Sequence, residues 1–539
     1  MAEMYPVPAD AELDDQVVEA EIVVGGPRRD PRPVLGTVVS DDQSPSFETV
    51  RFRLNPGADV VPGEFVVVEA GREDAPALVV SRVLDAHEVN PHEDPLSSTV
   101  RSVLPFGSEY SQEGQSTVIY RLVEAEAVEE IPLSADGTPG DPHEVRSLPR
   151  AGGLVFSADA AVVGAVLGFL SDPEDGVHLG LVHGQGDVPV VLDPAALQRH
   201  VLIVGGIGSG KSYTRGVLAE ELRRLGVAQV NIDVNGELID AATELGGTTV
   251  RPGNGFTLPL SALTSEDLIE AIAGVQRGTN IETLIGYAFN VLQREVRQNR
   301  RATFGVADLV QEIADQAPNL NMAQANTLRP AQLRTQALDR LPYIGPQFDW
   351  RTTLVNGAFV NIDCRTQLLP DLRVITAAVA RDIQNLARRR EIPFTVLSID
   401  EFHLVAPNDD RNVSTQVLRE IARIGRHYRL GLILTTQSPA DVDRSILKRL
   451  LTRFLHAIEP DQLDALRGVF ADAPQEMVRS LPKLPQGTCV LSGVAETVRH
   501  ATVVDVRRRV TSHGGATPDV WADIQAAGWG PKRNLDDLR

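Results

Sequence analysis

The chain has 539 residues, of which 42% are hydrophobic, and its 73 acidic and 51 basic residues give a net charge of −22. This length is typical of roughly two to four domains, and the hydrophobic content is enough for packed cores, which excludes a disordered protein. The acidic balance argues against a generally basic nucleic-acid-binding coat, although it permits a locally basic channel. No stretch approaches the roughly 18 to 20 apolar residues of a membrane span, and the acidic N-terminus is unlike a signal peptide. We therefore expect a cytoplasmic protein.

Short β runs separated by turns begin at Val34 and predict a small β-barrel. They include VLGTVVS, ETVRFRL, EFVVVEA and ALVVSRVLDA. Further along, strand-like runs alternate with helical patterns, as in the βαβ units of a parallel sheet, so the expected fold class is α/β. The predicted units are an N-terminal arm (1–33), a barrel with an insertion (34–190), a core (191–262 and 344–510), a helical insertion (263–343) and a C-terminal tail (511–539).

The segment GGIGSGKS follows an apolar run and opens a helical pattern. Its glycines allow successive backbone N–H groups to face phosphate oxygens, and the positive end of the following helix points at them. Lys211 supplies a cation for the β- and γ-phosphates, and Ser212 offers a hydroxyl to Mg²⁺. The predicted ATP-binding residues of this loop are Gly205, Gly206, Ile207, Gly208, Ser209, Gly210, Lys211, Ser212 and Tyr213.

Two later strand-like runs end in polar residues suited to nucleotide hydrolysis. FTVLSIDEFH places Asp400 at a strand tip, where it can hold Mg²⁺, and Glu401 next to it, where it can polarise the attacking water. LGLILTTQS ends at Gln437, whose amide can contact the γ-phosphate. The alternative for Gln437 is an ordinary turn residue at a strand end.

Other charged residues have two interpretations each. Arg419, Arg423 and Arg426 share one helical face, which is either a solvated basic face or a source of an arginine for a neighbouring subunit's nucleotide. In the NIDVNGELID segment a plain turn explains the Asn-Gly pair, and the alternative is that Asp233 and Glu237 face the nucleotide pocket or a pore.

Two basic clusters stand out in this acidic chain and are candidates for DNA contact, although most basic helix faces are simply solvated. The first lies in REVRQNRR and the second in RSILKRLLTR. Their members are Arg294, Arg297, Arg300 and Arg301 in the first, and Arg444, Lys448, Arg449 and Arg453 in the second.

Five blocks of the sequence together resemble the HerA-type ATPases of the HerA/FtsK group of P-loop ATPases. They are RHVLIVGGIGSGKS, IDVNGE, LSIDEFH, REIARIGRHYRLGLILTTQSPADVD and LPKLPQGTCVLSG. The resemblance extends from about Val34 to Arg509, and the N-terminal β segment resembles the small HAS-barrel domain of that family. It implies a RecA-like core that assembles as a homohexameric ring and moves double-stranded DNA through the ring by ATP hydrolysis.

The resemblance also assigns roles to matching positions. These are Lys211 and Ser212 in the phosphate loop, Asp400 and Glu401 as metal-holding and catalytic carboxylates, and Gln437 as the sensor. Arg426 falls where the family has an arginine that acts on the neighbouring subunit, and Arg199 matches a basic position at the subunit boundary. Two positions depart from the family pattern, because Asn235 replaces a common histidine and Tyr213 replaces a small or hydroxyl residue.

The biological role that the resemblance implies has two versions. In the first, the ring is a DNA translocase or helicase that works with a NurA-like nuclease in DNA end resection and repair. In the second, it is a scaffold that assembles and regulates a nuclease or sirtuin-like effector in antiphage defence. A conjugation or packaging motor of the FtsK type is disfavoured by the barrel-like N-terminus. A small-molecule kinase would need the phosphate loop but neither the sensor strand nor the arginine-bearing helix.

Overall fold

The computed structural model describes residues 32–40, 44–72, 74–89, 120–134, 137–319, 322–408, 412–467, 474–493, 498–512 and 514. Nearly all of the predicted arm and tail lie outside these ranges. Within the described ranges, no helix is long and apolar enough to cross a membrane.

Six strands close into an N-terminal barrel, in the order β1-β2-β5-β4-β3-β6. They are β1 (Val34–Val38), β2 (Thr49–Leu54), β3 (Phe65–Arg72), β4 (Ala75–Val89), β5 (Tyr120–Pro132) and β6 (Leu154–Ser157). In β2, Val50, Phe52 and Leu54 are buried, whereas the residues between them face outward, which is the alternation that the sequence predicts. Closure pairs every strand on both sides and removes the exposed edges of an open sheet.

Twelve further strands form one large sheet, in the order β12-β11-β13-β10-β14-β15-β9-β16-β17-β18-β7-β8. They are β7 (Val177–Val182), β8 (Gln185–Leu192), β9 (Val201–Val204), β10 (Ala228–Asp233), β11 (Thr248–Pro252), β12 (Gly255–Phe256), β13 (Phe359–Asp363), β14 (Thr395–Ile399), β15 (Leu430–Thr436), β16 (Thr452–Leu455), β17 (Thr488–Ser492) and β18 (Thr502–Val506). The strands from β12 to β16 are parallel, and those from β17 to β8 are antiparallel. β9 and β15 are buried along their whole length, as is usual for parallel strands covered on both faces.

The α-helices cover this sheet and form the helical region between β12 and β13. They are α1 (Ala160–Leu167), α2 (Ala195–Gln198), α3 (Lys211–Arg224), α4 (Ile239–Glu244), α5 (Ser265–Ala271), α6 (Asn280–Arg297), α7 (Val306–Asp315), α8 (Met322–Gln336), α9 (Trp350–Thr353), α10 (Leu369–Arg388), α11 (Val413–Ile424), α12 (Arg444–Leu447), α13 (Leu463–Arg467) and α14 (Gln475–Ser480). The helices α5 to α8 fall within the stretch 263–343 that the sequence predicts as helical. In α6, the buried residues include Leu284, Ala288 and Leu292, which recur at helical spacing and pack against the core.

The strands β7 and β8 belong to the large sheet and not to the barrel with which the sequence analysis grouped them. β7 pairs with β18, about 320 residues further along the chain, and β8 pairs with β7. The alternating pattern of a strand identifies its buried face but not its partner, so the sequence could not show which sheet these strands join.

Close contact between β7 and β18 depends on Gly180. Its φ is 150°, a value that side-chain-bearing residues rarely adopt, and a Cβ there would lie 2.0 Å from the carbonyl oxygen of Asp505. Glycine therefore permits the strand pairing that attaches β7 and β8 to the sheet.

We expect Gly180→Ala to destabilise the protein by about 2–4 kcal/mol, because the added methyl group overlaps a backbone carbonyl at an unfavourable φ. Gly186→Ala is the matched control, since nothing lies within 4 Å of the Cβ position at that glycine. Chemical denaturation of the two variants measures the difference, and equal stabilities would contradict this account of the β7–β18 contact.

Candidate active site

Three loops that carry sequence-predicted residues meet at one edge of the large sheet. Strands β14, β15 and β9 are neighbours and parallel, so their carboxyl ends lie side by side. In parallel α/β sheets this edge is the usual place for a ligand. One cleft at the edge is lined by the phosphate loop, by Glu401 and by Gln437, which confirms that these distant segments converge.

The phosphate loop is held in shape by its own backbone. Gly208 and Gly210 have φ values of 75° and 116°, which belong to the left-handed region that favours glycine. The Lys211 ammonium donates to the carbonyl oxygen of Gly206 at 3.0 Å. Burial lowers the pKa of Lys211, opposed by the nearby carboxylates of Glu401, Asp400 and Glu237. A bound phosphate would restore a favourable environment for its charge.

A buried arginine lies beneath the acidic pair. Arg215, one turn into α3, is 1% exposed, and its Nη1 lies 3.6 Å from a carboxylate oxygen of Asp400 and 3.7 Å from one of Asp233. Its Nε donates to the Ser398 hydroxyl at 3.1 Å. The burial of Asp400 raises its pKa to about 7, despite Arg215, and the neighbouring acidic side chains add to the rise. The nucleotide-free site therefore holds a carboxyl group that is easily protonated.

Glu401 adopts a left-handed backbone conformation, with φ of 43°. Its Oε2 lies 3.2 Å from Nδ1 of His403, and this Nδ1 is also 3.3 Å from the hydroxyl of Thr436. Thr436 ends β15 immediately before Gln437. His403 thus connects the acidic residue that follows β14 with the strand that carries the candidate sensor.

The NIDVNGELID turn has one residue in the cleft and one beneath it. Asp233 accepts hydrogen bonds from the backbone N–H groups of Gly236, Glu237 and Leu238, so it shapes the turn. Glu237 instead accepts from the Ser212 hydroxyl at 2.7 Å and lines the cleft. Asn235, the departure from the family pattern, donates to Asp400 at 3.0 Å.

The cleft has oxygen donors suited to Mg²⁺. Among the described residues, no group of three or more His, Cys, Asp or Glu side chains could hold a metal on its own. Mg²⁺ in nucleotide sites is usually bound by one or two protein oxygens, with phosphates and water completing the shell. Ser212, which lines the cleft, and Asp400, which is buried next to Asn235 of the cleft, fit that requirement, and a buried oxygen of Glu237 has no hydrogen-bond partner among the described residues.

Arg199 and Arg426 lie away from this cleft. Both precede a strand of the parallel sheet, Arg199 before β9 and Arg426 before β15, whereas the cleft lies beyond the far ends of these strands. The seven residues of β15 span roughly 20 Å. Arg426 is exposed at this opposite edge, and Arg419, on the preceding helix, is paired with Asp443.

The basic clusters are only partly exposed. In the first, Arg301 is paired with Glu295 and Asp308, while Arg294, Arg297 and Arg300 are exposed. In the second, Arg453 is buried and donates to the Leu450 carbonyl at 2.8 Å, so it is excluded as a DNA contact. Its exposed members are Arg444, Lys448 and Arg449.

Sequence reasoning did not single out Arg215, His403 or Arg508 as site residues. Arg215 lies four residues after Lys211, a helical spacing that keeps both on one side of α3, but a buried charge there needs partners that the sequence does not identify. His403 follows Glu401 by two residues and could have been considered with it. Arg508 comes into the cleft from the far end of the chain.

Comparison with known proteins identifies the central part of the chain. Residues 177–383 match the family model "Helicase HerA, central domain". This part of the chain is therefore similar to the central domain of HerA helicases. This match confirms the resemblance on which the sequence interpretation relied, together with the assignment as a P-loop ATPase.

The HerA-type similarity extends to curated relatives and to a solved structure. The DNA double-strand break repair helicase HerA of Sulfolobus acidocaldarius is 21% identical over 371 residues, covering 65% of this chain and 73% of the relative. The protein of that name from Pyrococcus furiosus is 21% identical over 510 residues, covering 84% and 88%. VirB4 of Thermoanaerobacter pseudethanolicus superposes with a TM-score of 0.52 at 16% identity, covering 63% of this chain and 98% of VirB4. This superposition supports the RecA-like fold of the core.

We expect Asp400→Asn to stabilise the nucleotide-free protein at pH 8. Folding raises the pKa of Asp400 to about 7, so the folded protein is more stable when Asp400 is protonated. This part of the free energy of unfolding is lost as the pH rises through that value. The free energy of unfolding of the variant should exceed that of the wild type by on the order of a few kcal/mol at pH 8, and this difference should shrink toward pH 5. Denaturation at both pH values measures it.

Asp363→Asn is the control with the opposite sign. Hydrogen bonds from Arg365, opposed by burial and assisted by Arg251, lower the pKa of Asp363 to about 2. The ionised Asp363 therefore stabilises the folded protein at any pH above the pKa of an aspartate in the unfolded chain, and this stability is lost only as the pH falls toward 2. Because pH 5 and pH 8 both lie above that range, the variant should be destabilised equally at the two pH values. Loss of stability at pH 8 in both variants would contradict the raised pKa of Asp400.

Proposed function

We propose that this protein is an ATP-driven DNA translocase or helicase of the HerA type that works as a homohexameric ring. One observation carries the proposal. The phosphate loop, the acidic pair and Gln437 converge on one edge of the sheet, while Arg426 and Arg199 lie at the other. A nucleotide site whose residues lie at two opposite edges is complete only when one subunit meets the next head to tail. Such contacts produce a closed ring when the rotations between neighbouring subunits add up to a full turn.

Within one subunit, the cleft residues divide the work of hydrolysis. Lys211 and the N-terminus of α3 hold the β- and γ-phosphates. Mg²⁺, when bound, would neutralise phosphate charge, with Ser212 and Asp400 as its protein contacts. Glu401 orients the attacking water and accepts its proton, and Gln437 contacts the γ-phosphate.

The neighbouring subunit supplies Arg426 in this proposal. Its guanidinium would stabilise the charge that develops on the transferring phosphoryl group, as arginine fingers do in other P-loop enzymes. Because Arg426 has no access to its own cleft, hydrolysis would depend on correct contact between subunits. Arg199, at the same edge, would lie at that boundary.

We propose that DNA is the molecule that the ring translocates. The relatives from Sulfolobus acidocaldarius and Pyrococcus furiosus are named as DNA double-strand break repair helicases, which supports this choice. The second basic cluster begins seven residues after Gln437, on the segment that leaves the cleft edge of the sheet. We propose Arg444, Lys448 and Arg449 as its DNA contacts, and a NurA-like nuclease as the partner in end resection. The alternative is a ring-shaped scaffold for an antiphage effector, in which hydrolysis need not respond to DNA.

We expect double-stranded DNA to stimulate ATP hydrolysis severalfold in the purified protein, and Glu401→Gln to abolish hydrolysis with and without DNA. The variant in which Arg444, Lys448 and Arg449 are all alanine should lose the stimulation. Its DNA affinity should also depend less steeply on salt, by about 0.9 in the log–log slope for each phosphate that the variant no longer neutralises.

The double variant Arg297→Ala/Arg300→Ala tests the other cluster under the same conditions. If it alone loses the stimulation, DNA follows the helical insertion. Hydrolysis that ignores DNA at low and high salt would contradict the translocase and favour the effector scaffold.

We expect Arg426→Ala to lower kcat by about 10³-fold or more while the subunits still assemble. Arg423→Ala, which removes an exposed charge three residues earlier, should retain turnover. An equal mixture of Arg426→Ala and Lys211→Ala subunits should recover up to about a quarter of wild-type activity, because one interface in four then joins an intact loop to an intact arginine. No recovery from mixed and reassembled subunits would contradict action across the interface.

A further inference from the structure

Three consecutive arginines follow β18 and point in alternate directions. The chain remains extended there, so Arg507 and Arg509 face α3 while Arg508, between them, faces the cleft. Val506, two residues before Arg508, lines the same cleft. We call residues 507–512 the C-terminal strap.

Two glutamates of α3 hold the strap in place. Glu220 accepts hydrogen bonds from the Arg507 guanidinium at 2.8 Å and from the backbone N–H groups of Val510 and Thr511 at 2.9 and 2.8 Å. Glu221 accepts from Arg507 at 2.8 Å. Burial raises the pKa of Glu221, but hydrogen bonds from Arg224, His178 and Arg507 outweigh it and lower the pKa overall. The strap is therefore fixed by ionised groups.

The start of α3 is shaped to receive the strap. The hydroxyl of Tyr213 accepts the backbone N–H of Arg509 at 2.5 Å. The Arg509 guanidinium lies over Gly216, where a Cβ would be only 2.4 Å from its central carbon. Tyr213, a departure from the family pattern, thus has a structural partner in this chain. Its contact places Arg508 next to the phosphate loop.

The cleft has a second end beyond the phosphates. It is bounded by Gln486, Gly487, Val506, Arg508 and Tyr213. Gly487 packs against the phosphate loop, because its N–H donates to the Ser209 carbonyl at 3.1 Å. A nucleotide whose phosphates occupy the loop must extend its ribose and base to one side, and this end of the cleft adjoins the loop without the catalytic carboxylates.

Arg508 is available for a ligand there. Its side chain is exposed and has no ion pair or hydrogen bond with any residue in the described ranges. The residues on either side of it are anchored, so the backbone that carries the guanidinium is already ordered. A guanidinium is planar and weakly hydrated, and it stacks on aromatic rings as an ammonium group does not.

We propose that Arg508 stacks on the nucleobase of the bound nucleotide, with the Gln486 amide beside it, so that the C-terminal strap forms the base-binding end of the site. The proposal rests on the proposed occupation of this cleft by ATP. It makes Arg508 a determinant of nucleotide affinity, distinct from the residues that act on the phosphates.

Binding of ATP and of inorganic tripolyphosphate, measured by calorimetry, tests the proposal because the second ligand has no base. Arg508→Ala should raise the Kd of ATP about tenfold, as expected when one stacking interaction is removed, and leave the Kd of tripolyphosphate unchanged. In hydrolysis assays KM should rise similarly, while kcat changes less than about twofold. Arg508→Lys should not restore ATP affinity, because lysine keeps the positive charge but lacks the planar guanidinium that stacks on the base.

Two further variants show whether a loss of ATP binding comes from Arg508 or from a misassignment of the whole cleft. Lys211→Ala should weaken both ligands, and unchanged binding of both would refute the cleft as the nucleotide site. Arg72→Ala removes an exposed arginine from the barrel and should change neither Kd. With the Lys211 result as expected, three outcomes would overturn the role of Arg508: an unchanged Kd of ATP in Arg508→Ala, equal weakening of both ligands, or full rescue by lysine.

Discussion

The burial of a positive charge under the strand ends is the constraint on which the site depends. Arg215 lies between α3 and the sheet, where it approaches Asp233 and Asp400 and donates to Ser398. A guanidinium in such a position is tolerated only if carboxylates and hydrogen-bond acceptors surround it. It therefore ties the helix that begins at the phosphate loop to both strands that carry acidic residues. The distance between Lys211 at the start of that helix and Asp400 beyond β14 follows from this attachment.

The same arrangement leaves the nucleotide-free cleft electrostatically unbalanced. Asp400 has a raised pKa, Lys211 has a lowered one, and a buried oxygen of Glu237 has no hydrogen-bond donor among the described residues. A polyanion accompanied by a divalent cation would stabilise the charged form of each of these groups, because the anion attracts the lysine and the cation attracts the carboxylates. His403 lies between Glu401 and Thr436, the last residue of the strand that precedes Gln437.

The sequence predicts the parts of the site that lie in short local motifs. The phosphate loop, the acidic pair and the sensor strand each need only neighbouring residues to be recognised, and the order of parallel strands brings them together. Contacts between distant segments could not be predicted. The packing of Arg509 on Gly216, the pairing of β7 with β18 and the burial of Arg453 all depend on which surfaces meet. Charge patterns alone also could not show that Arg301 of the first basic cluster is paired with Glu295 and Asp308.

One hydrophobic cluster joins the barrel to the ATPase core, beside a cluster that belongs to the barrel alone. Phe65 and Val80 of the barrel pack in the same cluster as Leu179, Ile203 and Phe454 of the large sheet, and Arg82 adds a hydrogen bond to the carbonyl of Ala501. An interface of that kind resembles the inside of one domain more than the seam between two. Without an apolar surface on the barrel to match it, the part of this cluster that belongs to the ATPase core would be exposed to water.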